Sequence, residues 1–358
     1  MEQKLPAISV VIPMYNAEKF IAPCLESLFA QTFRDFEVIV VDHASTDNSY
    51  NIVENYVQKL AGGGIELHLL RLKKNFGNPC VPRNRGLNLS RGKYVYFMDS
   101  DDLLMNNALA ELFTTAETYE ADVVCMRKHF VFDIEADKPF PTKLKIVACP
   151  YIQPELAEIP SWENENPAER MTDLFRGKFV VMPWLKFSRR ELLIENEIYF
   201  PRVYANEDNF WTMQLILHAK RMLIIPTPLY ICRENKNSIT RNKNSAAEHI
   251  RFIMYSILTG PKNMNLVAEK TEFLEKNPQY RYAWMGNLAS WGFNTIFKDC
   301  ANLQPYEVYK IFLEQFGEET GEHAELVAYL CSLINTQQKM LAVANGRIAE
   351  LEKKLAER

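Results

Sequence analysis

The chain has 358 residues, 47% of them hydrophobic and 24% charged, with a formal net charge of −4. That length supports one large core with an accessory region, or two domains. The mildly acidic balance supplies no basic field for nucleic acid, and no Lys/Arg tract offers a dedicated polybasic membrane anchor.

Ile8-Ser9-Val10-Val11-Ile12-Pro13 predicts a buried strand stopped by its proline. Asn16 is placed to cap a helix whose apolar positions Phe20, Ile21, Leu25, Leu28 and Phe29 recur at helical spacing. Phe36 to Val41 is a second buried strand, and the polar segment Ala44 to Ser49 leads into a helix with Ile52, Val53, Tyr56 and Val57 on one face. After Gly62-Gly63-Gly64 come a third strand, Ile65 to Leu70, and a helix containing Arg83 to Leu89. Lys93 to Met98 is a fourth strand, Asn106 to Tyr119 a helix, and Asp122 to Phe132 one further strand. Strands alternating with helices predict an α/β fold with a doubly wound, mostly parallel sheet and the polar strand ends on one rim. The rim groups are Pro13-Met14-Tyr15-Asn16, Asp42-His43 and Asp99 to Asp102.

Asp99, Asp101 and Asp102 put three carboxylates at the carboxyl end of the fourth strand, where open α/β sheets bind ligands. Like charges this close repel, and a divalent cation is their simplest neutraliser. Hard oxygen ligands favour Mg²⁺ or Mn²⁺ over zinc. The competing reading of the triplet alone is a solvated acidic turn capping the helix that starts near Asn106. A dinucleotide fold should show GxGxxG after the first strand, yet that position reads PMYNAE, and no Walker P-loop is present.

The ordered segments SVVIPMYNAEKFIAPCLESLFAQTF, FEVIVVDHASTDNS, NFGNPCVPRNRGLNLSRGKYVYFMDSDD, PWLKFSRRELL and NEDNFW, with a closing YICRENKNSIT, resemble the family 2 nucleotide-sugar glycosyltransferases over about residues 7–241. The resemblance implies a GT-A fold and an inverting, metal-dependent enzyme. Such an enzyme moves a hexose or N-acetylhexosamine from a nucleoside-diphosphate sugar, UDP favoured, to a saccharide or lipid-linked acceptor in surface polysaccharide synthesis. Asp99 and Asp101 resemble the DxD pair, with Asp101 on the metal and Asp99 on the ribose, the metal or both; Asp102 is structural, as a helix or loop cap. Arg83 resembles the donor-contacting arginine, with Asn84 and Gly86 structural and Arg85 on the surface. Asp208 resembles the general base, supported by Glu207; the competing reading of this pair is a helix cap. Pro13, Tyr15, Ser100, Arg233 and Ser238 join the implied donor site. Trp184 and Lys186 join the implied acceptor side, against a core role for the tryptophan. His129 and His249 receive no role.

The family usually reads VDDGSxD where this chain reads VDHASTD. In the family an acid here accepts from the uracil ring. His43 takes the place of the second acid; a neutral imidazole can accept through one nitrogen, or Asp42 can take over the role. Ala44 in place of glycine predicts a backbone that does not need positive φ.

Residues 133–180 are expected to form an irregular acceptor-side insertion in a 1–241 catalytic domain. HIRFIMYSIL and YEVYKIFLEQF predict a helical appendage over 242–325. Val327, Ile334, Leu341, Ile348 and Leu355 repeat every seven residues, with Leu330, Gln337, Ala344 and Leu351 interleaved. A coiled-coil tail over 326–358 joining protomers is expected, with docking on its own chain or on a membrane as alternatives.

The seven cysteines are scattered and lack CxxC spacing, so they read as reduced thiols. No apolar run approaches the ~20 residues of a membrane span. The segment MEQKLPAISVVIP lacks signal-peptide architecture, so a cytoplasmic protein is expected, with peripheral contact at the inner membrane face as a variant. A non-catalytic nucleotide-sugar binder assembled through the tail is the alternative function; a base at position 208 would be superfluous in it.

Overall fold

The computed structural model describes residues 5–60, 64–133, 143–148, 160–203, 206–234 and 262–299, with isolated positions at 260, 307, 310, 346 and 347. The chain forms two compact units, Met1–Ser238 with Pro261–Trp284, and Ile239–Gly260 with Met285–Arg358.

The first unit is built on β1 (Ile8–Met14), α1 (Ile21–Phe29), β2 (Phe36–Asp42), α2 (Ser49–Leu60), β3 (Glu66–Arg71), α3 (Cys80–Leu89) and β4 (Tyr94–Phe97). Every residue of β1, β2 and β4 is buried, because helices cover both faces of a parallel sheet and continuous apolar runs suit that environment. Pro13 does not stop β1: it pairs opposite Val41, and the strand continues to Met14. Asn16 does not cap α1. It sits at φ 47°, and its side-chain oxygen instead accepts the Thr46 N–H at 2.8 Å, tying the two rim loops together.

After the acids the chain forms a two-residue strand, β5 (Leu103–Leu104), before α4 (Ala108–Thr118), so the helix does not follow the triplet directly. The segment expected as one strand from Asp122 to Phe132 is two, β6 (Val123–Met126) and β7 (Lys128–Asp133), in different sheets. Residues 133–180 are not wholly irregular, for they hold β8 (Lys145–Ala148), β9 (Ser161–Trp162) and α5 (Pro167–Phe175). There follow β10 (Lys186–Arg189), α6 (Arg190–Glu195), α7 (Glu207–His218), β11 (Met222–Ile225) and β12 (Tyr230–Glu234).

The main sheet runs β3-β2-β1-β4-β10-β6-β11-β9 and is mostly parallel, with β10 antiparallel to both neighbours and β9 antiparallel to β11. Strand order reverses between β1 and β4, the switch point at which such sheets open a crevice beyond their carboxyl ends. A smaller sheet, β5-β12-β7-β8, stands next to that crevice through β5, which directly follows the acids. Close approach of α3 to β1 depends on Gly86, where an added Cβ would stand 2.2 Å from a Val11 methyl. Helices Glu272–Lys276 and Pro278–Asp299 follow, and Trp284 packs on Phe175 and Phe210. Among the described residues no helix is long and apolar enough to cross a membrane. The two helical patterns quoted for 242–325 and the heptad tail lie outside the described residues, apart from single positions.

Candidate active site

The rim at the switch point gathers residues from four elements. Arg83 rises from α3 and is almost enclosed, with its guanidinium 5.1 Å from the Phe200 ring. Its Nη2 donates to Asp99 Oδ1 at 3.0 Å, its Nη1 donates to Asp208 Oδ1 at 2.9 Å, and Glu207 Oε1 lies 3.6 Å away. Its Nε is buried without a hydrogen bond. One cation therefore serves three carboxylates drawn from the end of β4 and the start of α7. Asn84, one residue on, exchanges hydrogen bonds with the backbone of Phe200 and so fixes the segment under that guanidinium. Arg85 is exposed, as expected.

Glu207 and Asp208 occupy the first turn of α7 itself. Burial raises both above the ordinary carboxylate range; Asp208 adds to the rise at Glu207, while Arg83 opposes it at each. Asp208 keeps its second carboxylate oxygen without a hydrogen bond among the described residues. Lys186 is buried, donates to the Met182 carbonyl at 3.1 Å, lies 5.7 Å from the Trp211 ring and adds positive potential at Asp208.

The three acids after β4 divide by role. Asp102 is enclosed, accepting the Tyr230 hydroxyl at 2.6 Å and the Arg233 backbone N–H at 2.7 Å. Burial and then the charges of Asp101 and Asp99 push its pKa well up. It thus fastens β12 to the acidic turn, and it caps no helix. Asp99 and Asp101 stay partly exposed. Arg233 donates through Nε to the Asp101 carbonyl at 2.8 Å, between the rings of Phe20 and Phe132. The guanidinium braces the turn from below. Ser100 lies in the same turn, partly exposed. Ser238 lies outside the described residues.

Asp99 and Asp101 fit a hard divalent cation. Both carry carboxylates at one partly exposed turn, the hard-oxygen donor type that suits such an ion. Among the described residues, the group of three ligands that does converge is Glu37, Glu66 and His68, at the opposite rim. Arg91 already fills it, with Nη2 at 2.7 Å from Glu37 and 2.5 Å from Glu66.

Trp184 is half-buried. Tyr230 stacks on it at 4.4 Å, and His129 meets it edge-on at 5.0 Å. Sequence reasoning gave neither Tyr230 nor His129 a part here, and only their distance from Trp184 in the fold reveals it. Pro13 is buried in β1, and Tyr15 is exposed just beyond it. Asp42 is fully buried, with one oxygen accepting the Ser45 N–H at 3.1 Å and the other 3.2 Å from Arg71 Nε. His43 Nε2 accepts the Phe76 backbone N–H at 2.8 Å, so the lone pair expected to face a base is already used. Ala44 does adopt positive φ, 59°, contrary to expectation, because the backbone must turn from β2 into the loop bonded to Asn16.

Known proteins resemble this chain in sequence and in fold. The family model for glycosyl transferase family 2 matches residues 9–196. The uncharacterized glycosyltransferase EpsJ of Bacillus subtilis (strain 168) is 27% identical over 250 residues, 69% of this chain and 67% of that protein. The poly(ribitol-phosphate) beta-N-acetylglucosaminyltransferase TarS of Staphylococcus aureus (strain Mu50) is 32% identical over 225 residues, 62% of this chain but only 34% of its own length. A crystal structure of S. aureus TarS 1-349 in complex with UDP-GlcNAc superposes with a TM-score of 0.53 at 22% identity, covering 93% of this chain and 92% of that one. That likeness establishes a GT-A fold. The matched segment spans more than half of the chain and carries the whole switch point from β1 through the acidic turn, so the chain belongs to glycosyl transferase family 2.

Proposed function

We propose that the chain is an inverting, divalent-cation-dependent transferase. It moves a hexose or N-acetylhexosamine from a nucleoside-diphosphate sugar, UDP favoured, to a hydroxyl of a saccharide or lipid-linked acceptor in surface polysaccharide synthesis. The observation that carries it is Arg83, bonded to Asp99 at 3.0 Å on one side and to Asp208 at 2.9 Å on the other. The group suited to the leaving diphosphate and the group suited to the incoming hydroxyl thus stand across one guanidinium.

In this reading Asp208 accepts the acceptor's proton through the oxygen that Arg83 does not hold. The freed oxygen attacks the anomeric carbon as the bond to the phosphate oxygen breaks. The nucleoside diphosphate departs, and an α-linked donor gives a β-glycoside. Arg83 keeps the base oriented and offers fixed positive charge beside the departing group. Asp99 and Asp101 would hold Mn²⁺ or Mg²⁺, which when bound supplies Lewis-acid stabilisation of the diphosphate. Glu207 supports the base electrostatically, while Tyr15 and the half-buried Trp184 border the donor and acceptor sides. The UDP preference draws support from TarS, whose structures hold UDP and UDP-GlcNAc. Residues 326–358 would join protomers, which light scattering of full-length and truncated protein checks.

The test is donor turnover with and without Mn²⁺ in wild type and Asp208→Asn. Loss of transfer by about 10²–10⁴-fold with donor affinity retained supports the base assignment. Undiminished transfer by the variant removes it.

A further inference from the structure

Asp42 and His43 lie at the end of β2 on the donor rim, beside the exposed ring of Tyr15. Asp42 is enclosed: one oxygen accepts from Ser45, and the other, 3.2 Å from Arg71 Nε, is buried without a hydrogen bond and does not open onto the rim. His43 differs. A peptide N–H can only donate, so the 2.8 Å contact from Phe76 fixes the lone pair on Nε2. Burial holds the imidazole neutral by lowering its pKa against the opposing charge of Asp42. Its one proton therefore sits on Nδ1. Nδ1 has no hydrogen-bond partner among the described residues, yet it is absent from their fully enclosed, unsatisfied polar atoms, so this N–H reaches the surface. The Phe76 ring stacked at 5.7 Å and the Tyr15 ring edge-on at 6.4 Å restrain the imidazole from turning over.

We propose that His43 reads the donor's base by donating through Nδ1–H, selecting a base that presents a hydrogen-bond acceptor at that point. A carboxylate in the same place would instead select a base presenting an N–H. The inference rests on the nucleotide-sugar reading of the site and reverses the polarity of its base contact. Uracil can meet this N–H with a ring carbonyl, guanine with O6 and cytosine with N3 or O2. The N3–H of uracil finds no exposed acceptor in the Asp42-His43 pair, because the unbonded Asp42 oxygen is buried.

The experiment is calorimetric titration of UDP, GDP, CDP and dTDP into wild type, His43→Asn, His43→Asp and His43→Leu. Asparagine keeps an N–H at the Nδ1 position, aspartate keeps the shape with acceptors only, and leucine keeps neither. The nucleotide bound tightest by wild type should be held within about threefold by His43→Asn and lost by about tenfold or more in the other two, the worth of one hydrogen bond with its buried donor otherwise unpaired. Equal or tighter binding of that nucleotide by His43→Asp, or a loss in His43→Asn as large as in His43→Asp, overturns the proposal and leaves the donor site standing. Failure of every nucleotide to bind wild type overturns the donor reading as well. A ¹⁵N-histidine spectrum of wild type needs no variant to fold. It should show the Nδ1–H tautomer, with that proton shifting on addition of the bound nucleotide; an Nε2–H tautomer, or no shift at saturation, overturns the proposal.

Discussion

Ala44 holds a left-handed backbone at φ 59°, where a Cβ crowds the following carbonyl. That conformation costs an L-residue about 1–2 kcal/mol, against about 0.5–1 kcal/mol of entropy lost by ordering glycine. Ala44→Gly should therefore stabilise the protein by about 0.5 kcal/mol in chemical denaturation, and a destabilisation would mean the Ala44 methyl makes contacts that outweigh the strain. The acids at the start of α7 make a second prediction. Buried carboxylates that repel one another keep protons to higher pH, and a base works only once its proton has gone. The rate kcat/KM should therefore rise with pH beyond the ordinary carboxylate range. Glu207, pushed up to about 8 by burial and the Asp208 charge, still holds its proton where Asp208 loses its own, so Glu207→Gln should leave that rise in place; a rise moved to lower pH would show Glu207 ionised beside the base. Asp99, Asp101 and Asp102 stand out in the sequence as three carboxylates at the end of one strand, whereas Glu207 and Asp208, in the first turn of α7, are marked by the family resemblance of NEDNFW. The roles of Asp102 and His43 were not legible there, since they are set by Tyr230 and Phe76, 128 and 33 residues away along the chain.

Elements with long apolar runs were also legible: β1, β2 and β4 fall within a residue or two of their predicted bounds. The division of β6 from β7 was not. The polar stretch Arg127-Lys128-His129 interrupts the apolar run where the two strands divide, but it does not show that the halves enter different sheets; the pairing of β6 with β10 and β11, and of β7 with β12 and β8, does. In α5, by contrast, the signal was present and went unread. Asn166 caps the helix by accepting the Ala168 N–H, Pro167 opens it, and Glu169 stands in its first turn. At α3 the sequence marks a glycine but not its reason, which is the Val11 methyl that fills the place of its missing Cβ. Gly86→Ala should cost about 1–3 kcal/mol by overpacking and lift α3 from β1. Because Arg83 rides on the same helix, donor affinity should fall together with the melting temperature. A lower melting temperature with unchanged donor affinity would show that Arg83 tolerates displacement of its helix.

Across the molecule, catalysis in this reading needs two sheets to act as one, because the acidic turn leaves the larger sheet and β12 belongs to the smaller. Tyr230 is the fastening between them. Its hydroxyl donates to Asp102 at 2.6 Å and accepts the Asp99 backbone N–H at 3.2 Å, while its ring stacks on Trp184. Tyr230→Phe keeps the stacking and deletes only the hydroxyl, which leaves a buried carboxylate oxygen and a backbone N–H without their partner. An unmet buried polar group costs about 1–3 kcal/mol. At this size each kcal/mol lowers the melting temperature by about 2–4 °C. If the two sheets were joined by apolar packing alone, the substitution would be nearly silent. If the hydroxyl sets the acidic turn, stability and turnover fall together, and raising Mn²⁺ recovers part of the turnover while the melting temperature without donor stays low. Thermal denaturation and kcat measured across a Mn²⁺ series distinguish these outcomes. An unchanged kcat beside a lowered melting temperature would confine Tyr230 to holding the fold and leave the placement of Asp99 to Arg83.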